Sequence, residues 1–369
     1  MKILCLSFLR LGDIYMQAHI IRQMQIEYPH SEIDVVCFEE FKEAHHAFTE
    51  VNQWYYISRL AMQNSLVKNE QSIWNSFKIL KNISSLLKGN QYDLVCDLSH
   101  TQFSYLFYCL IKPVADYRKQ HRDVYLENDF KTSNTEQKHW VEAFKSTLGL
   151  KNDVKVVQKV FSSVNALDFS DASDLSLNIE PKKVLLQLNT SDAKKNWNEP
   201  ETAKLLAELN SHFGESNVDV LASPTESDHY RAFVAETQIK VWNLLEVQTG
   251  LKNYDLLVTL DTSISHLAAL KSNIPILLIS LGSSQSVKTG PYREDTYVLE
   301  PTVGCYPCNH NSVCNQMTHR CSKAIEANDV MRSMKYILAG DTRSLSQLVQ
   351  NGNIRFITQE VERKAEALI

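Results

Sequence analysis

The apolar run KILCLSF at residues 2–8 shows no polar alternation and is closed by the turn LGD, which predicts a strand buried on both faces. The following IYMQAHIIRQMQIEYP carries apolar residues at Ile14, Ala18, Ile21 and Ile26, a helical spacing that Pro29 ends. EIDVVCF (32–38) reads as the next strand, and QYDLVCDLS (91–99) as a further strand of the same sheet. Strand, turn, helix and strand in that order form a βαβ unit, so a parallel sheet is expected. YLFYCLI (105–111) has the length of a buried strand or core helix, and no stretch approaches the roughly 20 apolar residues that span a bilayer.

The texture changes over about 151–182, where SSVNALDFSDASDLSLNIEPKK is rich in Ser, Asp and Asn and lacks helical periodicity. The βα rhythm then restarts. KVLLQL (183–188), VDVLAS (218–223), DLLVTL (255–260) and IPILLIS (274–280) are strand-like, with helical segments such as EPETAKLLAELNSHF and SHLAALKSN between them. The expected architecture is α/β: two Rossmann-like, doubly wound domains facing a central cleft. The expected boundaries are an N-terminal domain over 1–165, a linker over 166–182, a C-terminal domain over 183–340 containing a Cys-rich loop at 305–321, and a C-terminal helical tail over 341–369.

Composition narrows the function classes. With 369 residues, 44% hydrophobic and 22% charged, the chain is an ordinary globular protein of about two domains. Its 38 Lys and Arg against 43 Asp and Glu exclude a protein that coats nucleic acid by bulk charge. Arg10 and Asp13 interrupt the N-terminal apolar run and no small-residue cleavage site follows, so no signal peptide is read and a cytoplasmic protein is expected. Cys5, Cys37, Cys96 and Cys109 sit singly in apolar contexts. Cys305, Cys308, Cys314 and Cys321 crowd together with the spacing C-x2-C, then five and six residues, and His310 or His319 could replace one thiol. Three outcomes stay open for that cluster: a structural zinc or iron site, reduced thiols without metal, or disulfides.

Four segments could carry chemistry. Arg10-Leu11-Gly12-Asp13 lies at the carboxyl end of the first strand, where open α/β sheets bind their ligands; Asp13 could equally be a helix cap. NTSDAKKNWNEPE (189–201) follows the first strand of the second half, with Asn189, Thr190 and Ser191 beside Lys194 and Lys195, a loop able to hold phosphate or merely a solvated turn. In DTSISHLAAL (261–270), Thr262 and Ser263 can cap a helix whose N–H groups face a pyrophosphate, and His266 falls one turn in, a ligand contact or a core histidine. Thr289-Gly290-Pro291-Tyr292 by itself means a tight turn. Neither GxGxxG nor a Walker A pattern occurs.

The order ILCLSFLRLGD, KKNW, LVTLDTSISHLAA, TGPY and then a CxxC loop resembles glycosyltransferase family 9, the ADP-heptose:lipopolysaccharide heptosyltransferases, over nearly the whole chain. The resemblance implies a GT-B fold and an inverting transfer of heptose from ADP-heptose to a lipopolysaccharide inner-core hydroxyl, with no cofactor required for catalysis. It implies that Asp13 is the catalytic base, that Lys195 contacts the donor phosphate, and that Asp261, Thr262 and His266 bind the donor; Thr190, at a strand end, and Ser263, at the helix start, are expected to bind it with them. Glu226 aligns loosely with an acidic residue that meets the donor. Ser263 stands where the family usually has glycine, and Gln17-Ala18-His19 where a Leu-Pro pair is common. An anionic acceptor would be held by Arg10, Arg118 and Arg122, the last two in the basic stretch 116–122, for which a solvated loop is the alternative. The acceptor would be met at the membrane surface, at the inner face of the inner membrane. Open alternatives are another nucleotide sugar, a protein acceptor, or a non-catalytic metal- or redox-sensing protein.

Overall fold

The computed structural model describes residues 1–60, 78–79, 81–87, 89–99, 101–111, 116–117, 139–151, 154–162, 182–308, 313–314, 316, 319–340 and 354–363. The chain forms two compact units, Met1–Asp153 and Val154–Ile369.

In the first unit, strands β1 (Lys2–Ser7), β2 (Glu32–Phe38), β3 (Gln53–Ile57), β4 (Leu94–Asp97) and β5 (Asp116–Tyr117) form a parallel sheet in the order β3-β2-β1-β4-β5. β1 is central, with Cys5 in register between Val35 and Cys96. That position buries both of its faces and explains its unbroken apolar sequence: Ile3, Leu4 and Leu6 are fully buried. Helix α1 (Leu11–Glu27) follows and buries Ile14, Tyr15, Met16, Gln17, Ala18, Ile20, Ile21 and Met24. Ile26, expected on the inner face, is 71% exposed. The buried face is broader than the single stripe and takes in the Gln17 side chain. The apolar segment at 105–111 is the end of helix α2 (Gln102–Ile111), and helix α3 (Trp140–Thr147) closes the unit.

The second unit holds an eight-stranded sheet of β6 (Val154–Ser162), β7 (Val184–Gln187), β8 (Val218–Leu221), β9 (Ile239–Lys240), β10 (Leu256–Leu260), β11 (Ile276–Ile279), β12 (Thr296–Pro301) and β13 (Ile354–Arg363), in the order β6-β13-β12-β11-β10-β7-β8-β9. β7 to β12 are parallel. Helices α4 (Glu199–Phe213) and α6 (Ala327–Ala339) cover one face, packing Leu205, Leu206, Leu209, Val330, Met334 and Ile337 on the strands. α5 (Ser263–Lys271) follows β10.

Two boundary expectations are corrected. The division falls at Asp153/Val154 and not at 165, and the described part of the supposed helical tail is the strand β13. The cause is one non-local pairing. β13 runs antiparallel between β12 and β6, from Arg355 opposite Ser162 to Arg363 opposite Val154, and so draws 154–162 into the second sheet. The linker expected over 166–182 lies outside the described residues, apart from Lys182.

Candidate active site

In the second sheet the chain runs outward from β7 through β8 to β9, then returns to β10 on the other side of β7. The carboxyl ends of β7 and β10 therefore flank a topological switch point, where open α/β sheets bind ligands. β10 ends in Asp261 and Thr262. The Thr262 hydroxyl caps α5 by accepting from the Ile264 N–H at 3.3 Å, leaving the first N–H groups of that helix for an anion. Gln187, at the end of β7, holds this corner: its Oε1 accepts from the Thr259 and Thr262 hydroxyls at 2.9 and 2.8 Å, and its Nε2 donates to the Asn189 carbonyl.

The loop after β7 brings up the lysine. Asp192 caps a short 3-10 turn, Ala193–Lys195, accepting from the Lys194 N–H at 3.1 Å. Thr190 is used to shape this loop, its hydroxyl donating to the Asp192 carbonyl at 2.7 Å and its N–H donating to Asn196 Oδ1 at 2.8 Å. Trp197 anchors the far side, its ring buried and its Nε1 donating to the Ile325 carbonyl at 3.0 Å.

The side chains converge on Asp261. Lys195 Nζ lies 2.7 Å from its Oδ2, which also accepts from the Ser284 hydroxyl at 2.8 Å, and His266 Nε2 lies 3.7 Å from its Oδ1. Burial alone would raise the Asp261 carboxyl, but the His266 ring and the Lys195 ammonium outweigh it and hold the carboxyl well below the usual carboxylate range. His266 is itself buried, and its Nδ1 has no hydrogen-bond partner among the described residues. A lysine only 18% exposed beside a helix N-terminus forms a compact corner suited to phosphate oxygens. Ser263 opens α5, half-buried, beside them. Glu226 stands one strand outward, after β8, with its carboxylate accepting from the Ser223 N–H at 2.9 Å.

The depressed Asp261 carboxyl has a consequence for stability. Such a group stabilises the fold above its unfolded value of about 4, and that contribution is lost as pH falls through its much lower folded value. Asp261→Asn leaves the Lys195 ammonium without its carboxylate and should cost about 3–5 kcal/mol at neutral pH. The loss relative to wild type should shrink as pH falls below about 4, read as the thermal midpoint of both proteins against pH.

In the first unit, Asp13 sits at the carboxyl end of the central strand, at the switch between β1 and β4. The N-cap of α1 is Arg10, not Asp13; from the third helical position the Asp13 carboxylate accepts from the Arg10 N–H at 3.2 Å and so steadies the helix start, and it stays half-buried. Gln17, a departure from the family pattern, ties the corner together: it hydrogen-bonds Ser7 and donates to the Leu98 carbonyl at 2.7 Å. Ser99 completes the tie, donating to the Leu6 carbonyl at 2.8 Å and accepting from the Phe8 N–H at 2.7 Å. Arg10 is exposed; Arg118 and Arg122 lie outside the described residues.

All four clustered cysteines are free thiols, Cys321 fully buried and the other three half-buried. Burial and neighbouring thiols push Cys308 and Cys321 above the ordinary thiol value. Four thiols on one loop are the right donor chemistry for a soft cation, but among the described residues no three candidate ligands are arranged around one point. His319, a candidate ligand, instead has its Nε2 3.0 Å from the Lys194 carbonyl. The TGPY motif is structural: a Cβ on Gly290 would lie 3.2 Å from the Ser286 carbonyl carbon, and Tyr292 is buried.

Gln187, Ser284 and Gln17 were not singled out from sequence as site residues. Gln187 carried one signal, a polar side chain closing an otherwise apolar strand; Ser284 carried none within the polar run GSSQS.

Two doubly wound units in one chain, each presenting polar side chains where its central strands end, match the GT-B fold. The model of glycosyltransferase family 9 (heptosyltransferase) matches residues 81–319, and the chain belongs to that family. Curated protein sequences give no match. Among solved structures, E. coli ADP-heptose lps heptosyltransferase II aligns at 17% identity with a TM-score of 0.63, over 92% of this chain and 99% of that one. E. coli heptosyltransferase WaaC, solved with ADP, aligns at 15% identity with a TM-score of 0.61, over 91% and 100%. TibC, a dodecameric iron-containing heptosyltransferase of enterotoxigenic E. coli, solved with ADP-D-beta-D-heptose, aligns at 12% identity with a TM-score of 0.50, over 92% and 76%.

Proposed function

We propose that this glycosyltransferase moves a heptose from ADP-heptose to a hydroxyl of a lipopolysaccharide inner-core acceptor, with inversion at the anomeric carbon. The observation that carries the donor half is the Lys195–Asp261 pair, held at 2.7 Å beside the N-terminus of α5. In this reading Lys195 and the N–H groups at Thr262–Ser263 meet the diphosphate and stabilise the charge that grows on it as the glycosidic bond breaks, while His266 serves the donor site through Asp261. Thr190 shapes the lysine loop and Glu226 meets the donor from the β8 side. Asp13 takes the proton from the acceptor hydroxyl as its oxygen attacks. Arg10, Arg118 and Arg122 hold acceptor anions.

Among the described residues no helix is long and apolar enough to cross a membrane, and the acceptor is proposed to be met at the inner face of the inner membrane. The test is transfer itself: ADP-heptose and other ADP-sugars offered with deacylated lipopolysaccharide inner core, products read by mass and by anomeric NMR. A product one heptose heavier, with configuration opposite to the donor's, is expected. Transfer from another sugar nucleotide only, or to polypeptide only, would overturn the assignment.

Cys305, Cys308, Cys314 and Cys321 are proposed to hold a structural zinc or iron ion, which would draw the thiolates together; it takes no part in the transfer. Elemental analysis after purification without chelator or nickel affinity should give close to one metal per chain. Less than about 0.2 per chain, with four titratable thiols, removes the site.

A further inference from the structure

We propose that His319 and Gly282 are positioning residues for the transfer: they grip the Lys194 carbonyl and so aim Lys195 at the donor diphosphate. The inference rests on the donor role proposed for Lys195.

The Lys194–Lys195 peptide is pinned at both ends of its plane. Its N–H, that of Lys195, donates to the Asp192 carbonyl at 2.8 Å. Its C=O, that of Lys194, lies 3.0 Å from His319 Nε2. A carbonyl can only accept, so Nε2 carries the proton of the ring in this contact. Against the same carbonyl stands Gly282, one residue beyond the buried Leu281 that follows β11. A Cβ there would clash with the Lys194 oxygen and come within 2.7 Å of its carbonyl carbon, and φ at Gly282 is +61°, so glycine alone allows this approach. Gly282 is fixed in turn by the Cys308 N–H, which donates to its carbonyl at 2.8 Å.

The ring that completes the grip is itself set up at a local cost. His319 has φ +43°, in the left-handed region that non-glycine residues seldom occupy, and from there it reaches a carbonyl 125 residues away. With both ends of the peptide plane held, the Lys195 side chain leaves the turn in one direction, and that direction brings Nζ to 2.7 Å from Asp261 Oδ2. Released from His319, or pushed by a methyl group at 282, the plane can tilt, and a tilt of one peptide moves the end of a lysine by ångströms. Neither residue touches the phosphate in this account.

The test uses the full chain, with ADP binding by calorimetry, kcat and KM for ADP-heptose, and acceptor KM. His319→Ala should weaken ADP binding about 3- to 10-fold, the range for one lost hydrogen bond, with acceptor KM unchanged. His319→Gln, whose amide Nε2 can donate to the same carbonyl, should return ADP binding to within about twofold of wild type, a rescue that a packing role would not give. Gly282→Ala should lower kcat/KM for ADP-heptose about 10- to 100-fold. Should His319→Ala fail to fold, His319→Gln and Gly282→Ala still decide. Wild-type ADP affinity in Gly282→Ala, or in a folded His319→Ala, overturns the proposal, provided Lys195→Ala weakens ADP binding. Equal weakening by Gln and Ala at 319 also overturns it. Unchanged ADP binding in Lys195→Ala is a different failure, that of the donor reading itself.

Discussion

Asp13→Asn is expected to lower turnover by about 10²–10⁴ with ADP affinity nearly unchanged, the range that a positioned general base contributes. The substitution is chosen to separate the proposed role as base from the bond that Asp13 makes at the start of α1. There the Asp13 carboxylate accepts from the Arg10 N–H at 3.2 Å. An asparagine amide oxygen can accept that same hydrogen bond, so the helix start survives and the thermal midpoint should hardly move. What asparagine cannot do is take a proton at neutral pH. If that bond were the whole role, turnover in Asp13→Asn would stay near normal, and that result would refute the base. Donor affinity serves as the internal control, because the groups proposed to bind ADP all belong to the second unit.

Lys195→Ala is the second large effect. The side chain is 18% exposed and its ammonium lies 2.7 Å from Asp261, so its hydrogen bonds to phosphate would be charge-assisted and partly shielded from water. Losing one should weaken ADP binding about 10- to 100-fold and lower turnover with it, since the charge on the leaving diphosphate grows in the transition state. Calorimetry with ADP measures this directly, and an unchanged Kd rejects the phosphate role. The substitution also leaves the Asp261 carboxylate buried, with His266 and Ser284 beside it among the described residues. Its folded pKa should rise toward or above the unfolded value of about 4, so that the deficit in stability relative to wild type, largest at neutral pH, should shrink as pH falls below about 4. Adding Asp261→Asn to Lys195→Ala should recover part of that stability without recovering ADP binding, which separates the ion pair's structural share from its share in the site.

The two halves of the candidate site were legible to different degrees. DTSISH was readable because a strand, a cap and a helical turn lie next to each other in sequence, so their spacing encodes their geometry. The lysine was readable as a donor contact only through the family resemblance; two adjacent lysines in a polar loop offer no local reason to prefer Lys195 to Lys194. Glu226 was placed only loosely, and the structure sets it at the edge of β8, one strand from the cluster around Asp261.

By itself the sequence determined the strands and helices of the βα repeats, such as β1, β2, β7, β10, α4 and α5, but not the strands β6 and β13. Burial imposes a period on the chain, two-sided burial gives unbroken runs such as β1, and the run EPETAKLLAELNSHF coincides with α4 at both ends. Only the tertiary structure decided partners. That β6 belongs to the second sheet follows from its pairing with a strand near the other end of the chain. That Lys195 meets Asp261, 66 residues on, and that the Lys194 carbonyl meets His319, 125 residues on, follow from how strands order themselves in a sheet. Periodicity records that a side chain is buried or capped, not against what; hydrogen bonds and ion pairs between distant segments form where the packed backbone happens to bring donor and acceptor within 3 Å, and no local pattern carries that information.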